Sequence, residues 1–575
     1  MTFDIARVPF SRAGSYMAIS RHGQASDHAA GVVIRTVHGD APRTSVFLVE
    51  LLDGDKPVAF TETAGPAMLK LESKAGNARF CFATPKCIRF LAHGVKLRLT
   101  LCLDPGTHAF ALPMDEGRWQ VKSFIHRSNF GLTPLRGQLH VDAPWNKVHS
   151  ERVVAEFVSG PKGAGTVEGV IEEFVSVLPP WRERQNFEDA VRDVQREFEQ
   201  FYRASPSVSE SMESAGELAA YVNWSAIVAP EGHFRRPAML MSKNWMAQVW
   251  SWDHCFNAMA LSHRNPDLAW DQLQLPFDHQ DASGALPDCY NDRTFTRTFV
   301  KPPIHGWALR YMMQSGSAVT PRRLKEFYEP LAAWTNWWLM HCDSDRDGVP
   351  QYLHGNDSGW DNSTAFDVGV PLEGPDLCSF LTIQMDVLAD VATKIGKKRD
   401  ARRWTKLADR MLEQLLAHSW RGDAFVAPRN GDHQIAEGGD SLVLFMPLIL
   451  GQRLPPDIRQ KLVAGIASEG RFLTKHGLAT ENVKSAKYES DGYWRGPIWA
   501  PSTHLIVDGL MQCGEKELAR EIATRFCATV AANGMAENFD ALSGKPLRDP
   551  AYTWTSSSFQ VLAHDIVLPA QRGGR

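Results

Sequence analysis

The period of the hydrophobic positions changes once along the chain. Before about residue 180 it is two, and beyond that it follows the turn of a helix. The clearest early case is Val95-Lys96-Leu97-Arg98-Leu99-Thr100-Leu101-Cys102-Leu103, where leucines and valine alternate with lysine, arginine and threonine, as in a strand with one buried face. Segments 31–37 and 45–52 are short β-branched runs, and 152–158 continues the pattern, with glycine, proline and Asp-Gly turns between them. Strands in succession with no helix between them predict an antiparallel β-sandwich over residues 1–182. Pro179-Pro180-Trp181 marks its end.

From Asn186 the period becomes helical. A charged amphipathic segment, 187–203, reads as a linker helix within 183–213. Twelve further helices are predicted across 214–575, beginning near Ser214, Ser251, Asp267, Pro303, Arg322, Asp376, Lys398, Asp440, Pro456, Trp499, Glu515 and Thr553. A bundle, a solenoid or a double ring of six inner and six outer helices would each use that number. The loops favour the ring. Stretches rich in tryptophan and acids lie at 250–253, 280–288, 357–361, 437–440, 493–499 and at Glu537, and each joins an odd-numbered helix of the twelve to the next even one. In an (α/α)6 barrel with alternating outer and inner helices, all such loops open at one mouth.

The loop Gly355-Asn356-Asp357-Ser358-Gly359-Trp360-Asp361-Asn362-Ser363 carries two carboxylates around an indole. Paired with Glu537, Asp361 would satisfy glycoside hydrolysis, which needs one protonated carboxylic acid and one carboxylate. An acid beside Trp360 in a desolvated loop has the raised pKa a general acid requires. Taken alone, the nonapeptide reads better as a turn, in which aspartates are common. In Trp250-Ser251-Trp252-Asp253, Asp253 either caps a helix or accepts sugar hydroxyls beside two indoles. In Gly492-Tyr493-Trp494-Arg495-Gly496-Pro497-Ile498-Trp499, Arg495 offers a fork of donors to hydroxyls or a carboxylate, or the aromatics staple a helix start. Trp250, Trp252, Trp360, Trp494 and Trp499 lie in loop-like sequence, where an indole offers a flat apolar face and an N–H to a sugar ring. Asp343, Asp345 and Asp347, followed by Gly348, have the opening spacing of a calcium loop, but its twelfth position is His354 and not glutamate, so it is no EF-hand. A calcium shared with a distant carboxylate and a solvated turn both fit.

Composition narrows the classes. A net charge of −4 recruits neither nucleic acid nor an anionic membrane. Nine scattered cysteines without C-x-x-C spacing point to a reducing compartment. No signal-peptide pattern opens the chain and no apolar run reaches a membrane span. The expectation is a soluble, cytoplasmic protein whose partner is a small carbohydrate, with no cofactor required. Phosphate-cradling, dinucleotide and nucleophile-elbow motifs are absent.

In order, Trp250-Ser251-Trp252-Asp253, Asn265-Pro266-Asp267-Leu268-Ala269, Gln280 with Gly284 and Pro287, Gly359-Trp360-Asp361, Tyr493-Trp494-Arg495-Gly496-Pro497-Ile498-Trp499 and Glu537 resemble glycoside hydrolase family 63 and its bacterial members, the mannosylglycerate and glucosylglycerate hydrolases among them. The resemblance covers about residues 220–567. It implies an (α/α)6 catalytic domain behind a β-sandwich and an inverting mechanism, with Asp361 as general acid and Glu537 as general base. Asp253, Trp250, Trp252, Gln280, Tyr493, Trp494 and Trp499 would line the glycosyl subsite. The acid loop has no arginine beside Asp361, unlike the small hydrolases. The expected activity is therefore that of an exo-acting inverting α-glucosidase on a small glucoside or short oligosaccharide. The alternatives are a mannosylglycerate or glucosylglycerate hydrolase and, in another class, a sugar-binding or sugar-epimerising barrel that would draw its base from His254, His279 or His433.

Overall fold

The computed structural model describes residues 1–575 except 24–29, 40–43, 104–106, 161–164, 183–184, 316 and 570–575. Two antiparallel sheets come first. In one, Met17–His22, Gly31–Thr36, Ser45–Asp53, Lys96–Leu101, Val154–Val158 and Gln138–Asp142 lie side by side in that order, with Lys56–Val58 paired to Ser45–Asp53. The other runs Phe110–Pro113, Trp119–Ser123, Ser128–Arg136, Thr166–Phe174, Cys87–His93, Asn77–Thr84, Leu69–Glu72 and Thr61–Ala64. The alternation at 96–101 is realised: Leu97, Leu99 and Leu101 are buried, while Lys96, Arg98 and Thr100 are half-buried. Arg98 faces Glu156 across the ladder and donates to it at 2.8 Å.

Helix α1 (Phe187–Ala204) is capped by Asn186, whose side chain accepts from the Asp189 N–H at 2.9 Å. It buries Phe187, Ala190, Val194, Phe198 and Phe201, a stripe at helical spacing, and packs against the sandwich and the first barrel helix.

The barrel helices are α2 (Glu213–Ala226), α3 (Asp253–Leu261), α4 (Pro266–Gln274), α5 (His305–Ser315), α6 (Pro321–His341), the single turn α7 (Gly355–Ser358), α8 (Pro375–Lys394), α9 (Lys398–Ser419), α10 (Pro456–Ala467), α11 (Ala500–Cys513), α12 (Lys516–Asn533) and α13 (Thr553–Leu562). Between α9 and α10 lies Leu442–Arg453, predicted as an α-helix and found as 3-10 turns. Pro447 removes a backbone donor inside it and Gly451, at φ 54°, breaks its winding.

The inner helices make a closed circuit: α3 touches α5, α5 touches α8, α8 touches Leu442–Arg453, these turns touch α11, α11 touches α13, and α13 returns to α3. Burial follows the same alternation except at α2, ten of whose fourteen residues are buried. All nine residues of α3 and all ten of α13 are buried, against five of twenty-two in α9 and three of twelve in α10. Every predicted rich loop therefore joins an outer to an inner element. Among the described residues, no helix is long and apolar enough to cross a membrane.

The sandwich reaches one of these loops. Arg35, on strand Gly31–Thr36, donates to the Lys243 carbonyl at 2.9 Å and also to the Asn244 carbonyl. Lys243 Nζ donates to the Ser15 carbonyl at 2.6 Å, and Asn244 bridges the Arg7 carbonyl and Asp549. These contacts fix the segment before Met246 and Gln248, which line the barrel mouth.

Candidate active site

A cavity of about 330 Å³ opens at the end of the barrel where the outer-to-inner loops meet. Its wall includes Trp250, Trp252, Asp253, Asp361, Tyr493 and Trp494 from the sequence expectation. Asp288, Lys301, Asn356, Tyr552 and Trp554 line it as well.

The loop carrying Asp361 is shaped by its own polar groups. In α7, His354 Nδ1 accepts the Asn356 N–H at 3.1 Å. Asp357 accepts the N–H groups of Leu353 and His354 with one oxygen and that of Val300 with the other, so it builds the loop and does not touch the cavity. Gly359 turns the chain at φ 72°, and a Cβ there would lie 2.4 Å from the Trp252 ring. That turn brings Asp361 to the wall.

Five predicted site residues stand behind the wall. Trp360 is fully buried against Trp494, with ring centres 4.9 Å apart. Trp499 stacks flat on Trp494 at 4.1 Å and donates its N–H to the Tyr493 carbonyl. Gln280 donates to the Gly284 and Pro330 carbonyls, pinning its loop to α6. Arg495 is committed to the Asn362 carbonyl and to Asp367. Gly496 makes room for the Glu489 carbonyl, 2.1 Å from where its Cβ would be. Their aromatic and polar character belongs to the support of the wall.

Asp361 is half-buried, and burial raises its carboxyl pKa; Lys301 opposes this and Asp288 adds to it. Burial likewise raises Asp253 well above the carboxylate range. Asp253 Oδ2 has no hydrogen-bond partner among the described residues, an acceptor suited to a sugar hydroxyl. Burial works against the Lys301 ammonium, but Asp288, Asp361 and Asp253 outweigh it and raise its pKa. Lys301 lies 3.1 Å from Asp288 and donates to the Asn356 carbonyl at 2.6 Å.

Glu537 follows α12 and sits just outside the cavity lining, 4 % exposed. Burial, with the like charge of Asp549, pushes its pKa up to about 7, while the Asp549 N–H and Arg548 pull it down. It is coupled electrostatically to Asp361 and, across the wall, to Tyr493 and Tyr552. Burial thus raises the pKa of both carboxyls, Asp361 on the cavity wall and Glu537 just behind it.

Lys301 was missed because Phe299-Val300-Lys301-Pro302-Pro303 carries no local sign of a site. Tyr552-Thr553-Trp554 did carry one, an aromatic pair at a helix start like that before α11. The histidines proposed as epimerase bases are otherwise engaged: both His254 nitrogens face backbone carbonyls and His279 faces the His233 carbonyl. His433 lies among Asp345, Asp347 and Glu373. The carboxylates of Asp343, Asp345 and Asp347 do converge, and each also accepts a backbone N–H of the same turn.

A family model described as the mannosylglycerate hydrolase MGH1-like glycoside hydrolase domain matches residues 246–555. Mannosylglycerate hydrolase MGH1 of Selaginella moellendorffii is 22% identical over 386 residues, covering 54% of this chain and 78% of its own. The crystal structure of a family 63 mannosylglycerate hydrolase from Thermus thermophilus in complex with glucose is similar with a TM-score of 0.52 and 19% identity, over 59% of this chain and 98% of that one. A bacterial glucoamylase complexed with acarbose is similar in fold over 98% of this chain and 95% of its own, with a TM-score of 0.60 and 10% identity. That likeness takes in the sandwich as well as the barrel.

Proposed function

The chain belongs to the mannosylglycerate hydrolase MGH1-like glycoside hydrolases of family 63, and on that footing we propose that it is an inverting, exo-acting hydrolase of a small α-glycoside of glycerate, glucosyl or mannosyl. The observation that carries this reading is the family match across the barrel from Met246 to Thr555, which contains both proposed catalytic carboxylates. A cavity of about 330 Å³ supports it, lying near the lower end of small-ligand sites. Such a space suits one sugar and a short aglycone.

In this mechanism Asp361, protonated, gives its proton to the glycosidic oxygen as the bond to the anomeric carbon breaks. A water on the opposite face attacks that carbon and passes a proton to Glu537. Asp253 would hold hydroxyls of the glycosyl unit, with the indoles of Trp250, Trp252 and Trp554 against its C–H faces.

A second reading, α-glucosidase action on a neutral disaccharide, is favoured by one observation. Among the described residues lining the cavity Lys301 is the single cation, and Asp288 already pairs with it. Arg495, the guanidinium expected to meet a carboxylate, is held by Asp367. Incubation with glucosylglycerate, mannosylglycerate, trehalose, kojibiose, nigerose and isomaltose, read as free hexose, separates the two. Turnover confined to the disaccharides would overturn the glycerate assignment. Proton NMR of the first turnovers checks the stereochemistry: inversion releases the β-anomer first, and an α-anomer would exclude it.

A further inference from the structure

Asp347 of the calcium-like turn belongs to a different site. Asp347 from that turn, Glu373 just before α8, His418 near the end of α9 and His433 in the loop beyond it bring one ligand atom each within 4.8 Å of the others. His418 Nε2 lies 2.6 Å from Glu373 and its Nδ1 lies 3.4 Å from Asp347. His433 Nε2 lies 3.8 Å from Asp347 and 3.9 Å from Glu373. The two imidazole rings meet nearly edge to face with centres 5.0 Å apart. Ligands about 2.0–2.1 Å from a tetrahedral zinc stand roughly 3.3 Å apart, so small side-chain shifts would bring these four into a coordination shell.

Three features argue for a built site over a solvated turn. Glu373 is fully buried, and a buried carboxylate requires compensation. Its second oxygen accepts the Asn430 side chain at 2.8 Å, the kind of outer bond that aims a ligating carboxylate. The backbone beneath is fixed: Glu373 N–H donates to the Pro428 carbonyl, Asn430 N–H to the Pro371 carbonyl, and Leu372 pairs with Arg429. The donor set of two imidazoles and two carboxylates is that of zinc and its neighbours. Calcium takes six to eight oxygens and has little use for imidazole.

We propose that Asp347, Glu373, His418 and His433 form a structural site for a divalent transition-metal ion of the zinc type, clamping the two ends of the segment that carries Asp361. Asp347 precedes that aspartate in the chain and Glu373 follows it, so one ion joins both ends to the α9 side of the barrel. Binding itself does not depend on the proposed reaction, and it is read without substrate.

The full untagged chain is stripped with a chelator, and Zn²⁺, Co²⁺ and Ca²⁺ are titrated separately by calorimetry, with visible absorption followed for Co²⁺. The expected result is one Zn²⁺ or Co²⁺ per chain, a visible Co²⁺ band, and a rise in melting temperature with either ion. Exposed His433→Gln should lower the affinity tenfold or more with an unchanged circular dichroism spectrum. Absence of stoichiometric Zn²⁺ and Co²⁺ binding, equal affinity in His433→Gln, or tighter binding of Ca²⁺ than of Zn²⁺ would overturn the site.

Discussion

Asp357 accepts the backbone N–H of Val300 at 3.0 Å, and this bond joins the loop of the proposed acid to the segment that carries Lys301. The other carboxylate oxygen takes the N–H groups of Leu353 and His354 at 2.9 and 3.0 Å. One buried side chain thus ties the segment of Lys301 to the loop of Asp361. Asp357→Ala leaves three backbone donors without partners, at a cost of about 1–3 kcal/mol for the groups that stay buried. The expected outcome is a lower melting temperature together with a loss of kcat larger than the change in KM, read by denaturation and steady-state kinetics. Unchanged kcat would place Asp357 outside the support of Asp361.

The assignment of Asp361 and Glu537 has its own sharp outcome. Asp361→Asn and Glu537→Gln each remove one proton-transfer partner and should lower turnover by roughly 10²–10⁴-fold. Burial disfavours both charges, so at pH 7 each substitution should also hold or raise the melting temperature, a functional site giving up stability to keep its acids. Reduced turnover with a reduced melting temperature would signal misfolding instead.

Gly359 tests the turn between Asp357 and Asp361. Alanine there would need a left-handed backbone and would press its methyl into the rigid Trp252 ring. The two effects together amount to about 3 kcal/mol. Gly359→Ala should lose that stability in urea unfolding and should perturb the Trp252 environment in near-UV circular dichroism.

Much of this was legible in the sequence, for unequal reasons. The two-residue period at 96–101 and the helical period of α1 are local patterns, and each element formed where it was expected. The segment at Leu442–Arg453 was misread because its hydrophobicity suits a helix while Pro447 and Gly451 do not. Within the site, a tryptophan in a polar loop looks the same in sequence whether it faces the cavity, as Trp250 does, or backs it, as Trp360 and Trp499 do. Only the packing of Trp494 between them decides. Lys301 was invisible because its role comes from Asp288 and Asp361, which are distant in the chain and adjacent in space.

Lys301 and Asp288 form a pair buried at 6 % and 5 % exposure. Removing one partner leaves the other charge unmatched, so Lys301→Met should cost about 3–5 kcal/mol. The double variant Lys301→Met, Asp288→Asn should recover most of that loss. Because Lys301 lowers the Asp361 pKa and Asp288 raises it, Lys301→Met alone should move the alkaline limb of kcat/KM to higher pH, and adding Asp288→Asn should bring it back toward the parent position. A double-mutant cycle in urea with the matching pH profiles checks both.

Glu537 gives the parent protein one share of its pH dependence. A carboxyl held at about 7 when folded, against 4.5 as its ordinary value, keeps its proton in the native state after the unfolded chain has lost it. The native state then binds more protons between those two values, so stability falls as pH rises from about 4.5 to about 7 and is steady above. The full span corresponds to roughly 3 kcal/mol, and Glu537→Gln should lessen by that share the slope of urea midpoints measured between pH 4.5 and 8, the remainder coming from buried acids such as Asp376, also raised to about 7. Activity runs the other way on this limb. A base must be ionised to take the proton from water, so kcat/KM should climb as Glu537 ionises toward about pH 7, while loss of the Asp361 proton sets the opposing limb. Since the two carboxylates feel each other, the limbs belong to the pair. An acid limb well below pH 6 in the parent protein would mean that Glu537 is not the base.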